Sequence, residues 1–100
     1  MKIIIDRPAD TPRNLIRRCG YAEFTDPRTR ETSYVRRLEA GNFYPRFHVY
    51  VEEAAEQMII NLHLDQKKPS YEGFSAHSGE YDGEVVEREG ERIREYVTNY

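Results

Sequence analysis

The chain reads as an α+β protein, an antiparallel sheet of four to five strands packed on one face by a C-terminal helix, with a short N-terminal helix. Three observations predict this. Residues 43–64 carry two runs of apolar–polar alternation separated by a short polar break, the period of strands that bury one face. Residues 82–98 place apolar side chains at helical spacing. The chain has 100 residues, 38% of them hydrophobic, which is enough for one modest core and not for two. A single domain over 1–100 is therefore expected.

Met1 to Asp6 predicts a first strand, because three consecutive β-branched isoleucines suit a buried sheet position. Thr11 followed by Pro12 is a helix start and Gly20 a stop, giving a short helix over 12–19 with Leu15, Ile16 and Cys19 on one side. Tyr21 to Thr25 and Thr32 to Leu38 predict the arms of a hairpin turned at Asp26-Pro27. Their register is open: Phe24 and Ala22 favour one face, while Tyr34, Arg36 and Leu38 compete with Val35 for the core side.

The clearest signal follows. Phe43, Pro45, Phe47, Val49 and Val51 alternate with Tyr44, Arg46, His48, Tyr50 and Glu52. Beyond Glu53-Ala54-Ala55-Glu56, read as the hairpin loop, Met58, Ile60, Leu62 and Leu64 alternate with Ile59, Asn61, His63 and Asp65. Pairing Val51 with Met58 puts both apolar sets on one face, Arg46 across from His63, and His48 and His63 on the diagonal. Gln66 to Gly79 has no period and predicts a loop. The last helix, from about Asp82 to Thr98, carries a stripe of Val86, Gly90, Ile93 and Val97, and Gly90 lets it approach the sheet closely. Phe47, Val49, Ile60, Leu62, Val86 and Ile93 are the expected core.

Charge adds a second layer. Residues 1–50 hold ten Lys/Arg against six Asp/Glu and residues 51–100 hold five against twelve, so the net −3 is the sum of +4 and −7. Such asymmetry suits either an anionic partner or contact between copies of the chain. Twelve of the fifteen cations are Arg, the better residue for bidentate contacts and for stacking on rings. No apolar run has the length of a membrane span or a signal peptide, and the single Cys19 cannot form an internal disulfide, so a cytoplasmic protein with no membrane association is expected.

The expected chemistry is on the sheet face away from the helix. His48, His63 and Asp65 lie there, with His77 folding over from the loop, as candidate catalytic residues. Imidazole titrates near neutrality and a carboxylate can orient it. Arg46, Tyr44, Tyr50, Asn61 and Arg36 are the candidate binding residues. The same face needs only soluble side chains, and histidine is an ordinary occupant of such a surface. No His-x-x-x-His or paired Cys fixes a metal geometry, so no metal ligands are assigned, and the residues leave the cofactor unknown. The first functional expectation is a small intracellular binding module, self-associating through its Tyr/Arg-rich face. The alternatives are a histidine-based hydrolase or nuclease-like enzyme, with or without a metal, and a nucleic-acid-binding domain in which Arg neutralises phosphates and Tyr stacks on bases.

Overall fold

The computed structural model describes residues 1–66 and 75–99, with no side-chain detail for residues 75–82. Five strands and two helices occur in the order β1 (Lys2–Asp6), α1 (Pro12–Arg18), β2 (Ala22–Thr25), β3 (Thr32–Arg37), β4 (Arg46–Glu53), β5 (Gln57–Asp65) and α2 (Ser75–Thr98). The strands form one antiparallel sheet in the order β1-β5-β4-β3-β2. The α+β architecture is the one the sequence predicts.

Both helices pack on one face. Phe47, Val49, Ile60, Leu62, Val86 and Ile93 are all buried there, joined by Ile3, Leu15, Ile16, Cys19 and Met58. Thr11 caps α1 by accepting from the Asn14 backbone N–H at 3.2 Å, and Gly20 leaves the helix at φ +97°, a conformation that favours glycine. Gly90 faces Met1 and Ile3 so closely that a methyl group on it would meet the Met1 side chain at 2.5 Å. The helix does approach the sheet at that point.

A charged network closes the core between α2 and the first half of the chain. Glu89 is 5% exposed and accepts from the Tyr21 hydroxyl at 2.6 Å and from Arg92 at 2.8 Å. Arg36 stands 3.5 Å away, and Arg92 also reaches the Cys19 carbonyl at 2.6 Å. Burial pushes the Glu89 carboxyl up, but the hydrogen bonds from Arg92 and Tyr21 outweigh it and hold the group below the ordinary glutamate range. A buried carboxylate is tolerable here because it is paired.

Three expectations need correction. The β4–β5 register is displaced by two residues: Ala54 donates its N–H to the Gln57 carbonyl at 2.9 Å, so the turn is only Ala55-Glu56. Val51 then faces Ile60, His48 faces His63 directly, and Arg46 faces Asp65 rather than His63. A shift of two preserves the faces, which is why the core assignment survives it. Second, β4 begins at Arg46 rather than at Phe43. Leu38 still donates to the Pro45 carbonyl at 3.1 Å, but Pro45 has no N–H to return, and the ladder ends there. Third, α2 starts at Ser75, so the position of His77 falls within a helix rather than in a loop. A glycine such as Gly79 costs a helix only about 1 kcal/mol and need not stop it.

Candidate active site

On the face opposite the helices, three strands bring together a hydrogen-bonded chain of side chains. In β3, Tyr34 pairs with Val49 and Arg36 with Phe47, on the core side, so Ser33 and Val35 point to the other face. Phe24 of β2 lies opposite Ser33. His48 comes from the middle of β4, and Asp65 closes β5 opposite Arg46.

Asp65 Oδ2 lies 2.9 Å from His48 Nδ1 and 3.1 Å from Arg46 Nε. On the far side of the imidazole, His48 Nε2 lies 2.7 Å from the Ser33 hydroxyl. Burial raises the Asp65 carboxyl, but the hydrogen bonds from His48 and Arg46 prevail and hold it below the ordinary aspartate range. The group is therefore an anion at neutral pH and only accepts. That assigns the hydrogen of neutral His48 to Nδ1 and leaves Nε2 to accept from Ser33. The alternative acceptor for the serine, the Phe24 carbonyl, is 3.5 Å away, too long to compete with a 2.7 Å bond.

Aromatic rings fix this arrangement. Tyr50 lies against the His48 ring at 4.5 Å and Phe24 meets it edge-on at 6.3 Å. The Arg46 guanidinium sits 4.3 Å from the Phe43 ring, 4.8 Å from Tyr44 and 5.2 Å from Phe24. Such contacts stabilise by about 0.5–1 kcal/mol at partly exposed rings, as at Phe43, which is itself exposed. Arg46 Nη1 is buried and has no hydrogen-bond partner among the described residues. His48 and Ser33 are buried as well, so this part of the face is roofed by aromatic side chains. A pocket of roughly 400 Å³ opens above it, walled by the β2–β3 turn, Phe43 and Tyr44, with Ser33, Arg46 and His48 in its lining. The turn itself is held by Asp26, which accepts from the backbone N–H of Arg28 at 2.8 Å.

The sequence-derived candidates divide. His48, Arg46, Tyr44 and Tyr50 line the pocket, and Asp65 stands behind it, hydrogen-bonded to His48 and Arg46. His63 stays outside the hydrogen-bonded chain, its ring 6.1 Å from Tyr50, and burial lowers its pKa below the ordinary histidine value. Asn61 donates to the Tyr50 carbonyl at 3.4 Å and to Glu52 at 3.2 Å, beside His63 rather than in the pocket. Arg36 lies on the helix-covered face with Glu89, because its partner in the ladder is Phe47, a core residue; it is not part of this site. Tyr21 and Tyr34 are buried on that covered face too and present no ring to a base. The side chain of His77 lies outside the described residues. Among the described residues no three His, Cys, Asp or Glu side chains are placed to hold a metal ion, and no helix is long and apolar enough to cross a membrane.

Sequence reasoning missed Ser33, Phe24 and Phe43. The signal for Ser33 was present in the alternation of β3, where Ser33, Val35 and Arg37 oppose Tyr34 and Arg36. Siding Tyr34 with the core would have turned the serine toward His48. No family model matches this chain, and neither a curated protein nor a solved structure matches it significantly, so the reading of its function rests on this geometry.

Proposed function

We propose that the protein is a small hydrolase that cleaves esters through a serine nucleophile, with Ser33, His48 and Asp65 as nucleophile, general base and orienting carboxylate. One observation carries the reading: the three side chains are hydrogen-bonded in the order acid, imidazole, hydroxyl at 2.9 and 2.7 Å, with His48 polarised toward Ser33 by its other partner. Ser33 is 3% exposed, so the aromatic roof has to move aside to admit the ester; the Ser33 proton then passes to His48 Nε2 as Oγ attacks the ester carbonyl. The same proton then goes to the departing alkoxide, and water hydrolyses the acyl-serine by the reverse relay. Arg46 supplies positive charge beside the relay, and the pocket suits a small acyl group of aromatic or otherwise flat shape, given the rings of Phe24, Phe43 and Tyr44.

The test is turnover of p-nitrophenyl acetate and p-nitrophenyl benzoate by the wild-type chain and by Ser33→Ala, His48→Gln and His63→Ala. The relay requires loss of at least about a hundredfold in kcat/KM for the first two and little change for His63→Ala. Equal rates in wild type and Ser33→Ala overturn it. The rival reading, a binding module without chemistry, draws on Arg46 Nη1, which has no hydrogen-bond partner among the described residues and would donate to an acceptor on a bound molecule once the roof moves. It is distinguished by benzoate or phosphate binding that requires Arg46 and survives Ser33→Ala with no turnover in either protein.

A further inference from the structure

At the sheet edge formed by β1, which among the described residues borders only β5, the backbone has a self-complementary pattern. Met1 exchanges both of its hydrogen bonds with Leu62, at 3.0 and 2.8 Å, and Arg7 donates to Glu56 at 3.0 Å. In an antiparallel ladder inward and outward residues alternate, so Ile3 and Ile5 also bond to β5, and Lys2, Ile4 and Asp6 direct their N–H and C=O groups to the free edge. Their side chains are exposed on the face opposite the core, with Ile4 48% exposed. An edge with three residues directing their backbone groups outward and an exposed isoleucine at its centre is a template for another strand.

We propose that a second copy of this chain pairs with β1 about a two-fold axis through Ile4, joining two five-stranded sheets into one. In that register Ile4 faces Ile4 of the partner subunit, and each Lys2 faces Asp6 of the partner subunit. Two ion pairs thus flank an apolar contact, on backbone positions whose hydrogen-bonding groups already point outward. The sequence Lys-Ile-Ile-Ile-Asp is charge-complementary to its own reverse, the self-complementarity that an isologous contact uses. The opposite edge lacks this property: cross-strand partners share a face, so a two-fold through Glu23, an outward residue of β2, sets that carboxylate against its own copy, and Glu23 is already paired with Arg13 at 3.6 Å. The contact uses neither the Tyr/Arg-rich pocket nor the relay, so it stands apart from the hydrolase reading.

Sedimentation equilibrium across the micromolar to millimolar range tests it. The wild-type mass should rise with concentration from 11.9 kDa toward twice that value. Lys2→Asp alone and Asp6→Lys alone each turn both ion pairs into like-charge contacts and should weaken association roughly tenfold or more. An equimolar mixture of the two variants should associate again, since each then meets its opposite. Both positions are exposed, and circular dichroism with thermal melting establishes that the variants remain folded; if one does not, the Lys2→Asp, Asp6→Lys double variant, which keeps the complementarity, should dimerise like wild type. A wild-type chain that stays at monomer mass at the highest concentration overturns the proposal. So does a dimer whose affinity the single variants leave unchanged.

Discussion

Replacing Asp65 by Asn and Arg46 by Met, separately and together, probes whether the relay is a coupled unit. Asp65 accepts two charge-assisted hydrogen bonds, from His48 and Arg46, each worth about 1.5–3 kcal/mol. The amide oxygen of Asn keeps one weaker bond, and the carboxylate is 32% exposed, so water compensates part of the loss. The expected cost of Asp65→Asn is about 2–3 kcal/mol. Arg46→Met retains the aliphatic packing against Phe43 and loses the cation, at a cost of about 1–2 kcal/mol. The two losses should not add. In Asp65→Asn the Arg46 side chain, only 7% exposed, is a buried cation without an anion, so removing it there should be neutral or favourable. A coupling of about 1–3 kcal/mol follows. Urea unfolding of the four proteins at pH 7, followed by tyrosine fluorescence because the chain has no tryptophan, gives the cycle directly. Additivity within about 0.5 kcal/mol refutes the coupling.

Other consequences are independent of this cycle. Glu89→Gln removes the anion that holds Arg92 and Arg36 over the core and should destabilise by about 2–4 kcal/mol in the same unfolding assay. The folded-state pKa values of Glu89 and Asp65 are depressed, so their stabilisation is complete above the unfolded-state values near 4.5 and 3.8 and is lost as pH falls through the lower folded values. Midpoints should therefore decline steeply below about pH 4.5, and less steeply in Glu89→Gln. Ile60→Ala, at a fully buried position, should cost about 2–5 kcal/mol in urea unfolding. Thr11→Ala removes the α1 cap and should cost about 1 kcal/mol, read as a small drop in the urea midpoint.

What could be read from the residues was whatever a period dictates. The alternation in 43–64 requires one buried face, so the core residues of β4 and β5 follow whether the turn holds two residues or four. The exact partner does not follow, because Glu53-Ala54-Ala55-Glu56 has no glycine, asparagine or proline to specify a turn type. That two-residue slip separates His48 diagonal to His63 from the observed pair, and it places Arg46 beside Asp65 instead of a histidine. In β3, Tyr34 and Arg36 lie on the covered side because Arg36 extends along Phe47 and ends at Glu89, a contact with a helix fifty-three residues later in the chain. No local pattern announces such a pairing. With β3 unassigned to a face, Ser33 could not be seen as a partner of His48. The roof of Phe24, Phe43 and Tyr44 was hidden for a related reason, since Phe43 was expected on the core side of a strand that in fact begins three residues later.

Covalent labelling tests the central claim most directly. A fluorophosphonate reacts with a serine hydroxyl only where a base activates it and a pocket admits it. Incubated with the folded chain and mapped by intact mass and peptide sequencing, it should add one phosphonyl group, on Ser33, with labelling abolished in Ser33→Ala and reduced at least about a hundredfold in rate in His48→Gln. An unmodified Ser33 after prolonged exposure, in protein shown to be folded, would contradict the account, as would labelling of Ser33 at the same rate without His48.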